Sequence, residues 1–161
     1  MGTNGEFSFS NFTKYISTTK NYIQSGVVVD FKKVKANAKW GVIPYRINDC
    51  GKTEVLIIST KRKNWSLPKG NLIKNIGPKR TALLEAYEEA GIDGNLDSKP
   101  IFCSIGRSCI YLFPMKVCKL FEDWPEASFR KRKWVQIHKA RHILHHRAMG
   151  KILIKFFPQK N

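Results

Sequence analysis

The sequence predicts a mixed α/β (α+β) fold in which a mixed β-sheet lies sandwiched between helices. Runs rich in β-branched and aromatic residues alternate along the chain with a few segments of helical periodicity. At 161 residues with 42% hydrophobic content, the chain is long enough for one core and too short for two comfortable domains. One globular unit is therefore expected.

The first part of the chain predicts an arm followed by strands. Residues 7–24 are polar with scattered aromatics and favour a short helix or an ordered arm. Strands are predicted at Val27–Phe31, at Lys39–Ile47 and at 53–60. Asn48–Gly51 is predicted as the turn between the last two, because Asn and Gly readily adopt turn conformations.

A helix is predicted between Pro78 and Gly91. Proline suits the first turn of a helix, and glycine suits the left-handed residue that ends one. The apolar stripe that docks this helix on the sheet is predicted to consist of Leu83, Ala86, Tyr87 and Ala90.

The remaining chain predicts a hairpin, a strand and further helix. Lys99–Ile105 and Ser108–Leu120 read as two strands joined by Gly106-Arg107, since glycine at the first position suits a two-residue type II′ turn. Lys133–Ile137 is predicted as another strand, and residues 138–157 as one or two helices.

Three carboxylates stand on one face of the predicted helix. Glu85, Glu88 and Glu89 are three and four residues apart, with no basic residue within four positions of any of them. Like charges at this spacing destabilise a helix, and anions in its C-terminal half oppose the helix dipole. A solvated acidic face is the simplest alternative, but a local conflict of this kind favours a divalent metal site.

The sequence around the triplet resembles the Nudix box, G-x5-E-x7-R-E-U-x-E-E-x-G-U with U aliphatic. Gly70, Glu85, Glu88, Glu89 and the pair Gly91-Ile92 match this pattern in register, and the lead-in 65–69 resembles the W-x-L-P-K that is common in the family. The first box glutamate is replaced by Ile76 and the box arginine by Leu84. Losing both charges of an opposite pair costs less than losing one, so the frame is expected to survive.

The resemblance continues outside the box. Segments 40–46 and 54–59 resemble the first strands of the Nudix sheet, and 122–140 is similar to the segment that marks diphosphoinositol polyphosphate phosphohydrolases. The likeness covers about residues 40–157. We therefore expect a Nudix domain at 40–157, an N-terminal extension of unknown role at 1–39 and a tail at 158–161.

The resemblance implies hydrolysis of a diphosphate linkage with Mg²⁺ or Mn²⁺. It makes Glu85, Glu88 and Glu89 the catalytic and metal-binding residues, with the Gly70 carbonyl as a further ligand. The general base that activates the water is left open between the box and a residue outside it, for which Glu122, Asp123 and Glu126 are candidates. Glu89→Gln is expected to abolish most turnover while leaving the melting temperature unchanged or raised, because a repulsion is relieved.

Charge is the second strong signal. The chain holds 29 Lys and Arg against 12 Asp and Glu, a net charge of +17, and no acidic residue lies between Glu54 and Glu85. Such a field attracts polyanions. The side chains predicted to contact substrate phosphates are Lys69, Arg46, Lys61, Arg62, Arg130 and Arg132. In a strand, residues 130–133 alternate between faces, so that two could point into a cleft while two face water.

Several classes are disfavoured. No apolar run approaches the roughly 20 residues of a membrane span, and a signal peptide is not recognisable, so no membrane partner is expected. The cysteines show no C-x-x-C spacing, and those at 103, 109 and 118 are expected to act as small apolar residues in a reduced, cytoplasmic setting. The four histidines after residue 137 are interleaved with cations, which disfavours a metal site and favours a solvated basic face.

Two functional classes remain. The first is a hydrolase whose small polyanionic substrate is a diphosphoinositol polyphosphate or a dinucleoside polyphosphate, with a 5′-triphosphorylated RNA end as a further candidate. The second is a catalytically weakened module that keeps the fold and binds polyphosphate or RNA. The oligomeric state is left open by the sequence.

Overall fold

One mixed β-sheet organises residues 37–157, which are the residues that the computed structural model describes. Its strands are β1 Lys39–Ile47, β2 Thr53–Ser59, β3 Trp65–Ser66, β4 Lys69–Asn71, β5 Ile92–Leu96, β6 Ile101–Ile105, β7 Ser108–Leu120 and β8 Arg132–Gln136. The helices are α1 Pro78–Ala90, α2 Ile137–Ile143 and α3 Arg147–Phe156. The predicted α+β fold class is confirmed. The elements predicted at 7–24 and 27–31 lie outside the described residues.

The sheet is built around β1 and β7. These two strands run parallel, and every other pairing in the described sheet is antiparallel. The main path runs β3-β2-β1-β7-β5, while β4 pairs with β1, β6 with β7 and β8 with β2. Because β4 lies against the start of β1, the loop that precedes α1 is fixed to the middle of the sheet.

The predicted turns are confirmed by their hydrogen bonds. The Asn48 side chain accepts the N–H groups of Cys50 and Lys52, at 3.1 and 2.9 Å, which closes the β1–β2 connection. Ile105 pairs with Ser108 across the β6–β7 hairpin, and Gly106 has φ of 57°. This is the left-handed conformation that a type II′ turn requires at its first position.

Short and polar strands were missed by the sequence prediction. Strands β3, β4 and β5 were not predicted, and β8 begins one residue earlier than expected. Among the cysteines, Cys103 is buried as predicted but Cys118 is exposed. The reason is that β7 continues beyond the core, so its last residues face solvent.

The two faces of the sheet carry different helices. Alternate residues of β1, β2 and β7 pack with α2 and α3 in one core cluster, which includes Ile43, Ile57, Leu112, Ala140 and Leu153. The residues of β1 on the other face are Trp40 and Val42, both fully buried, and α1 packs on β1, β4 and β5. The predicted sandwich is therefore present, and among residues 37–157 α1 is the helix on this second face.

No helix within residues 37–157 has the length and apolar character that crossing a bilayer would require.

Candidate active site

Helix α1 has the ends that its sequence predicts. Pro78 occupies the first turn after Gly77, and Gly91 ends the helix in the left-handed conformation, with φ of 61° and ψ of 44°. The Gly91 N–H donates to the carbonyl groups of Ala86 and Tyr87. These ends place the three carboxylates in the last two turns, where they are half-buried.

The buried face of α1 differs from the predicted stripe by one leucine. Leu84 is buried whereas Leu83 is only half-buried, so the prediction of Leu83 was wrong. The complete buried face comprises Thr81, Ala82, Leu84, Ala86, Tyr87 and Ala90. Leu84, which stands at the position of the box arginine, therefore belongs to the core.

Gly70 and Glu85 are in direct contact. Gly70 lies in β4 opposite Trp40, and a Cβ atom at this position would overlap the Glu85 carboxylate. Only glycine leaves room for the carboxylate to lie against the β4 backbone. The structure therefore brings together two residues that the sequence proposed as metal ligands.

Glu89 is held by two groups from outside its helix. The backbone N–H of Lys69 donates to Glu89 Oε2 at 2.8 Å, and Arg130 Nη2 pairs with Glu89 Oε1. The Arg130 and Glu89 side chains are only 9% and 13% exposed, so this pair is shielded from water. The expectation that the triplet is unpaired is wrong for Glu89, because its partner is distant in sequence.

A fourth carboxylate joins the cluster from the segment after β7. Arg130 Nε binds Glu126, and the Glu126 N–H donates to the Glu88 carbonyl at 3.2 Å. Of the three bases left open outside the box, Glu126 acts electrostatically on all three helix carboxylates. Glu122 and Asp123 are exposed. The i, i+4 spacing of Glu126 and Arg130 was the sequence signal that could have selected it.

Crowding and burial shift the protonation of the cluster. Burial raises the pKa of Glu85 to about 7, and the charges of Glu89, Glu88 and Glu126 add to this effect. Burial also raises the pKa of Glu88. For Glu89, burial raises the pKa although the Lys69 N–H and Arg130 oppose it. A divalent cation would offset this unfavourable concentration of negative charge.

These oxygen donors fit a hard divalent cation. Carboxylates and a backbone carbonyl are ligands that Mg²⁺ and Mn²⁺ prefer, and Mg²⁺ normally keeps several waters or substrate oxygens. Within residues 37–157, no three His, Cys, Asp or Glu side chains already surround one point as a complete metal cage. The match between this site and a divalent cation therefore depends on the oxygen donors present and on the space that Gly70 leaves for the Glu85 carboxylate.

Arg130 and Arg132, which the sequence predicts as phosphate contacts, both have protein partners. Arg130 also donates to the Ser59 carbonyl at 2.9 Å. Arg132 Nη1 donates to the carbonyl groups of Ala90 and Gly91, at 2.7 and 3.0 Å, and so neutralises the C-terminal end of α1. The predicted alternation is present, since Arg130 and Arg132 are half-buried while Lys131 and Lys133 are exposed. However, the two half-buried residues, Arg130 and Arg132, contact α1 and stabilise it.

The other predicted cations are divided between the site and distant positions. Lys69 Nζ donates to Ser66 Oγ at 2.8 Å, and burial lowers the pKa of its ammonium group. Lys61 lies over the Phe129 ring at 5.7 Å, and Arg62 is exposed in the same loop. Arg46 is elsewhere. It pairs with Glu54 at 2.8 Å, six residues or about 20 Å along β1 from the position that faces Gly70. Its contact with substrate stays a prediction.

The chain resembles known proteins over most of its length. No family model matches it. It is 35% identical over 130 residues to Nudix hydrolase 21, chloroplastic, of Arabidopsis thaliana, an alignment that covers 74% of this chain and 66% of that protein. It is 30% identical over 142 residues to Nudix hydrolase 12, mitochondrial, of the same plant, which covers 72% of this chain and 70% of that protein. Diphosphoinositol polyphosphate phosphohydrolase 3-alpha of Mus musculus is 34% identical over 98 residues, which covers 56% of this chain and 60% of that protein.

Solved structures share the fold. The Ap4A hydrolase of C. elegans aligns with a TM-score of 0.56 and 22% identity, covering 76% of this chain and 96% of that one. RenU, a Nudix hydrolase from M. smegmatis, aligns with a TM-score of 0.58 and 15% identity, covering 76% and 87%. Fold, box residues and relatives agree: the chain belongs to the Nudix hydrolase family. It spans 66% and 65% of the length of two of its plant relatives, Nudix hydrolases 21 and 4.

Proposed function

We propose that the protein is a metal-dependent hydrolase that cleaves a diphosphate linkage in a small, highly charged substrate. The observation that carries this proposal is the cluster of Glu85, Glu88, Glu89 and Glu126, in which Glu85 lies against Gly70 and burial and mutual repulsion raise the pKa of the three helix carboxylates. Half-buried carboxylates that outnumber their cationic partners at one end of a fixed helix suit a divalent cation that also carries substrate phosphates. The names of the relatives support the same reaction class.

The chain's own groups would position the reaction. Glu85, Glu88, Glu89 and the Gly70 carbonyl would hold Mg²⁺ or Mn²⁺, which when bound neutralises phosphate charge and lowers the pKa of a coordinated water. Glu89 is kept in place by the Lys69 N–H and by Arg130. Arg132 holds the end of the helix from which these carboxylates project.

Glu126 is the best placed group to accept a proton from the attacking water. Its Oε2 binds Arg130, while Oε1 has no hydrogen-bond partner among the described residues. The Glu126 N–H donates to the Glu88 carbonyl, and this hydrogen bond holds Glu126 beside the helix carboxylates. Glu88 is the alternative base. A pH–rate profile separates them, because the substitution Glu126→Gln or Glu88→Gln that removes the base also removes the acidic limb.

The substrate is proposed to be a dinucleoside polyphosphate or a diphosphoinositol polyphosphate. The segment between β2 and α1 has no acidic residue, and it exposes Lys61, Arg62, Lys63 and Lys74. Such a positive approach favours substrates with several phosphates. One relative is named for diphosphoinositol polyphosphates and one structural neighbour for Ap4A.

A release assay tests the proposal. Diadenosine tetraphosphate, a diphosphoinositol polyphosphate and 5′-triphosphorylated RNA are incubated with the protein and with Mg²⁺ or Mn²⁺, and phosphate and nucleotide products are measured. Turnover that requires the metal and is lost in Glu85→Gln supports the hydrolase. Metal-independent turnover, or none with any substrate, would overturn it.

A weakened binding module is the second candidate. It is favoured by the Arg130–Glu89 pair, which occupies one oxygen that a metal would need, and by the aliphatic Ile76 and buried Leu84 in the box. Binding of polyphosphate or RNA that weakens steeply with salt, without release of any product, would support this candidate.

We propose a reduced, cytoplasmic setting. The four cysteines of the chain are all free thiols. Two of the relatives are named as chloroplastic or mitochondrial proteins, so localisation of the fluorescently tagged full chain is the direct test.

A further inference from the structure

Helices α2 and α3 border an open pocket on the face of the sheet opposite α1. Its volume is 430 Å³, within the range of sites for small ligands. Its lining comprises Arg141, His142, Arg147, Gly150, Lys151 and Ile154. None of these residues belongs to the carboxylate cluster, so this α2–α3 pocket is a separate site.

The pocket is strongly basic. Residues 137–157 contain no Asp or Glu. Arg141, Arg147 and Lys151 are exposed, and among residues 37–157 none of them forms an ion pair. The contact made by Arg141 is with another basic residue, since its Nε donates to His142 Nε2 at 2.8 Å. Three permanent cations therefore line one pocket without an ion-pair partner among residues 37–157.

The start of α3 adds to this imbalance. Arg147 is the first residue of α3, where a cation opposes the helix dipole. His146 precedes it without a side-chain hydrogen bond to the helix, and the first turn holds no acidic residue. An anion in the pocket would compensate these cations.

Close packing of the two helices makes the cations converge. A Cβ atom at Gly150 would lie 2.7 Å from the Arg141 carbonyl oxygen, so glycine is what allows α3 to approach α2 this closely. Arg141 on α2 thereby faces Arg147 and Lys151 on α3, with Ile154 as an apolar part of the lining.

We propose that the α2–α3 pocket binds a small polyphosphate anion without a metal ion. Guanidinium and ammonium groups are the usual donors to phosphate oxygens, and three of them match a ligand with several negative charges. A single-stranded RNA is less well matched, because among residues 37–157 no Phe, Tyr or Trp side chain lines the pocket. This site is independent of the proposed hydrolysis.

Titration without metal tests the pocket. The full chain is kept in EDTA and titrated with inorganic pyrophosphate in one arm and ADP in the other, while amide and His142 ring NMR signals are followed. Saturable shifts at residues 141–151 support the proposal, and their relative strength shows whether an inorganic or nucleotide-borne diphosphate is preferred. Unchanged signals at 141–151 with both ligands would overturn it, as would shifts there that appear only with a single-stranded RNA oligonucleotide.

A charge-matched pair of variants distinguishes a site from general attraction. Arg147→Ala with Lys151→Ala removes two cations from the pocket, and Lys99→Ala with Lys116→Ala removes two exposed cations elsewhere. We expect pyrophosphate affinity to fall about tenfold in the first double variant and little in the second. Equal losses in both, or no loss in the first, would contradict a built site. Both pairs are exposed, and an unchanged circular dichroism spectrum confirms the fold.

Discussion

The two helix-covered faces of the sheet carry unbalanced charge of opposite sign. At the end of α1, four carboxylates gather where the side chains are half-buried. Between α2 and α3, three cations gather where the side chains are exposed to water. Among residues 37–157, the ion pairs in the first region are those of Arg130, and the three cations of the second form none.

The two regions differ in how far their charged side chains are buried. The pKa of Glu85 reaches about 7 because its carboxylate is desolvated beside other acids. Exposed cations repel one another only weakly, since water screens them. We therefore expect the carboxylate cluster to control activity and stability, and the basic pocket to change ligand binding alone. Four substitutions sharpen or break this comparison, and they follow in order of expected effect.

Glu89→Gln has the largest expected effect. It should lower metal-dependent turnover by about 100-fold or more. The structure reverses the expectation for stability, because a neutral amide cannot form the ion pair with the Arg130 guanidinium, and we expect a loss of about 1 to 3 kcal/mol in unfolding free energy. Thermal unfolding measures this, with Glu88→Gln as the control that leaves Arg130 paired. A raised melting temperature would show that relief of repulsion outweighs the pair.

Gly70→Ala comes next. The added methyl group overlaps the Glu85 carboxylate and must displace it, so turnover should fall by about tenfold or more. Asn71→Ala, at the exposed neighbouring position, is the matched control and should keep its rate. If the two variants had equal steady-state rates, contact between Gly70 and Glu85 would be irrelevant to activity.

Leu84→Arg tests the departure from the box. The site is only 7% exposed, so an arginine there would bury a charge without a partner and cost about 2 to 4 kcal/mol. Leu83→Arg places the same charge on the adjacent, half-buried leucine and should cost less. Urea denaturation compares the two. If the two variants were equally stable, position 84 would still accommodate the arginine of the Nudix box.

Glu85→Gln has the smallest effect on stability but a diagnostic pH dependence. A carboxyl whose pKa rises from 4.5 to about 7 on folding stabilises the native state when protonated. Stability of the metal-free protein should thus fall as pH rises from 4.5 towards 7, by about 1 kcal/mol after allowance for solvent screening. The variant should have a smaller slope, since Glu88 and Glu89 still contribute, whereas Asp49→Asn at an exposed turn should keep the full slope. An identical slope in all three proteins would contradict the assignment.

Local patterns predicted the elements that depend on neighbours in sequence. The ends of α1, the Asn48 turn and the Gly106 hairpin follow from proline, asparagine and glycine chemistry. Strand β5 was missed because Ile92–Leu96 contains Asp, Gly and Asn, and its pairing includes an irregularity between Asp93 and Gly94. Its stability comes from β7, which no local pattern reveals.

The site divides in the same way. The carboxylate face of α1 followed from the spacing of the three glutamates. The role of Gly70 as a ligand followed from the family resemblance. The roles of Arg130 and Arg132 did not, because their acceptors lie about 40 residues away in sequence and depend on how β8 and the preceding loop reach α1.

The sequence by itself determined that three carboxylates share a helical face, that basic residues precede them and that a family frame surrounds them. Helix periodicity and composition are local properties, so they need no knowledge of the fold. Only the tertiary structure decided which carboxylate has a partner, which is shifted to a pKa of about 7 and which fourth acid joins them. Burial and long-range pairing set these properties, and both exist only when distant segments pack together.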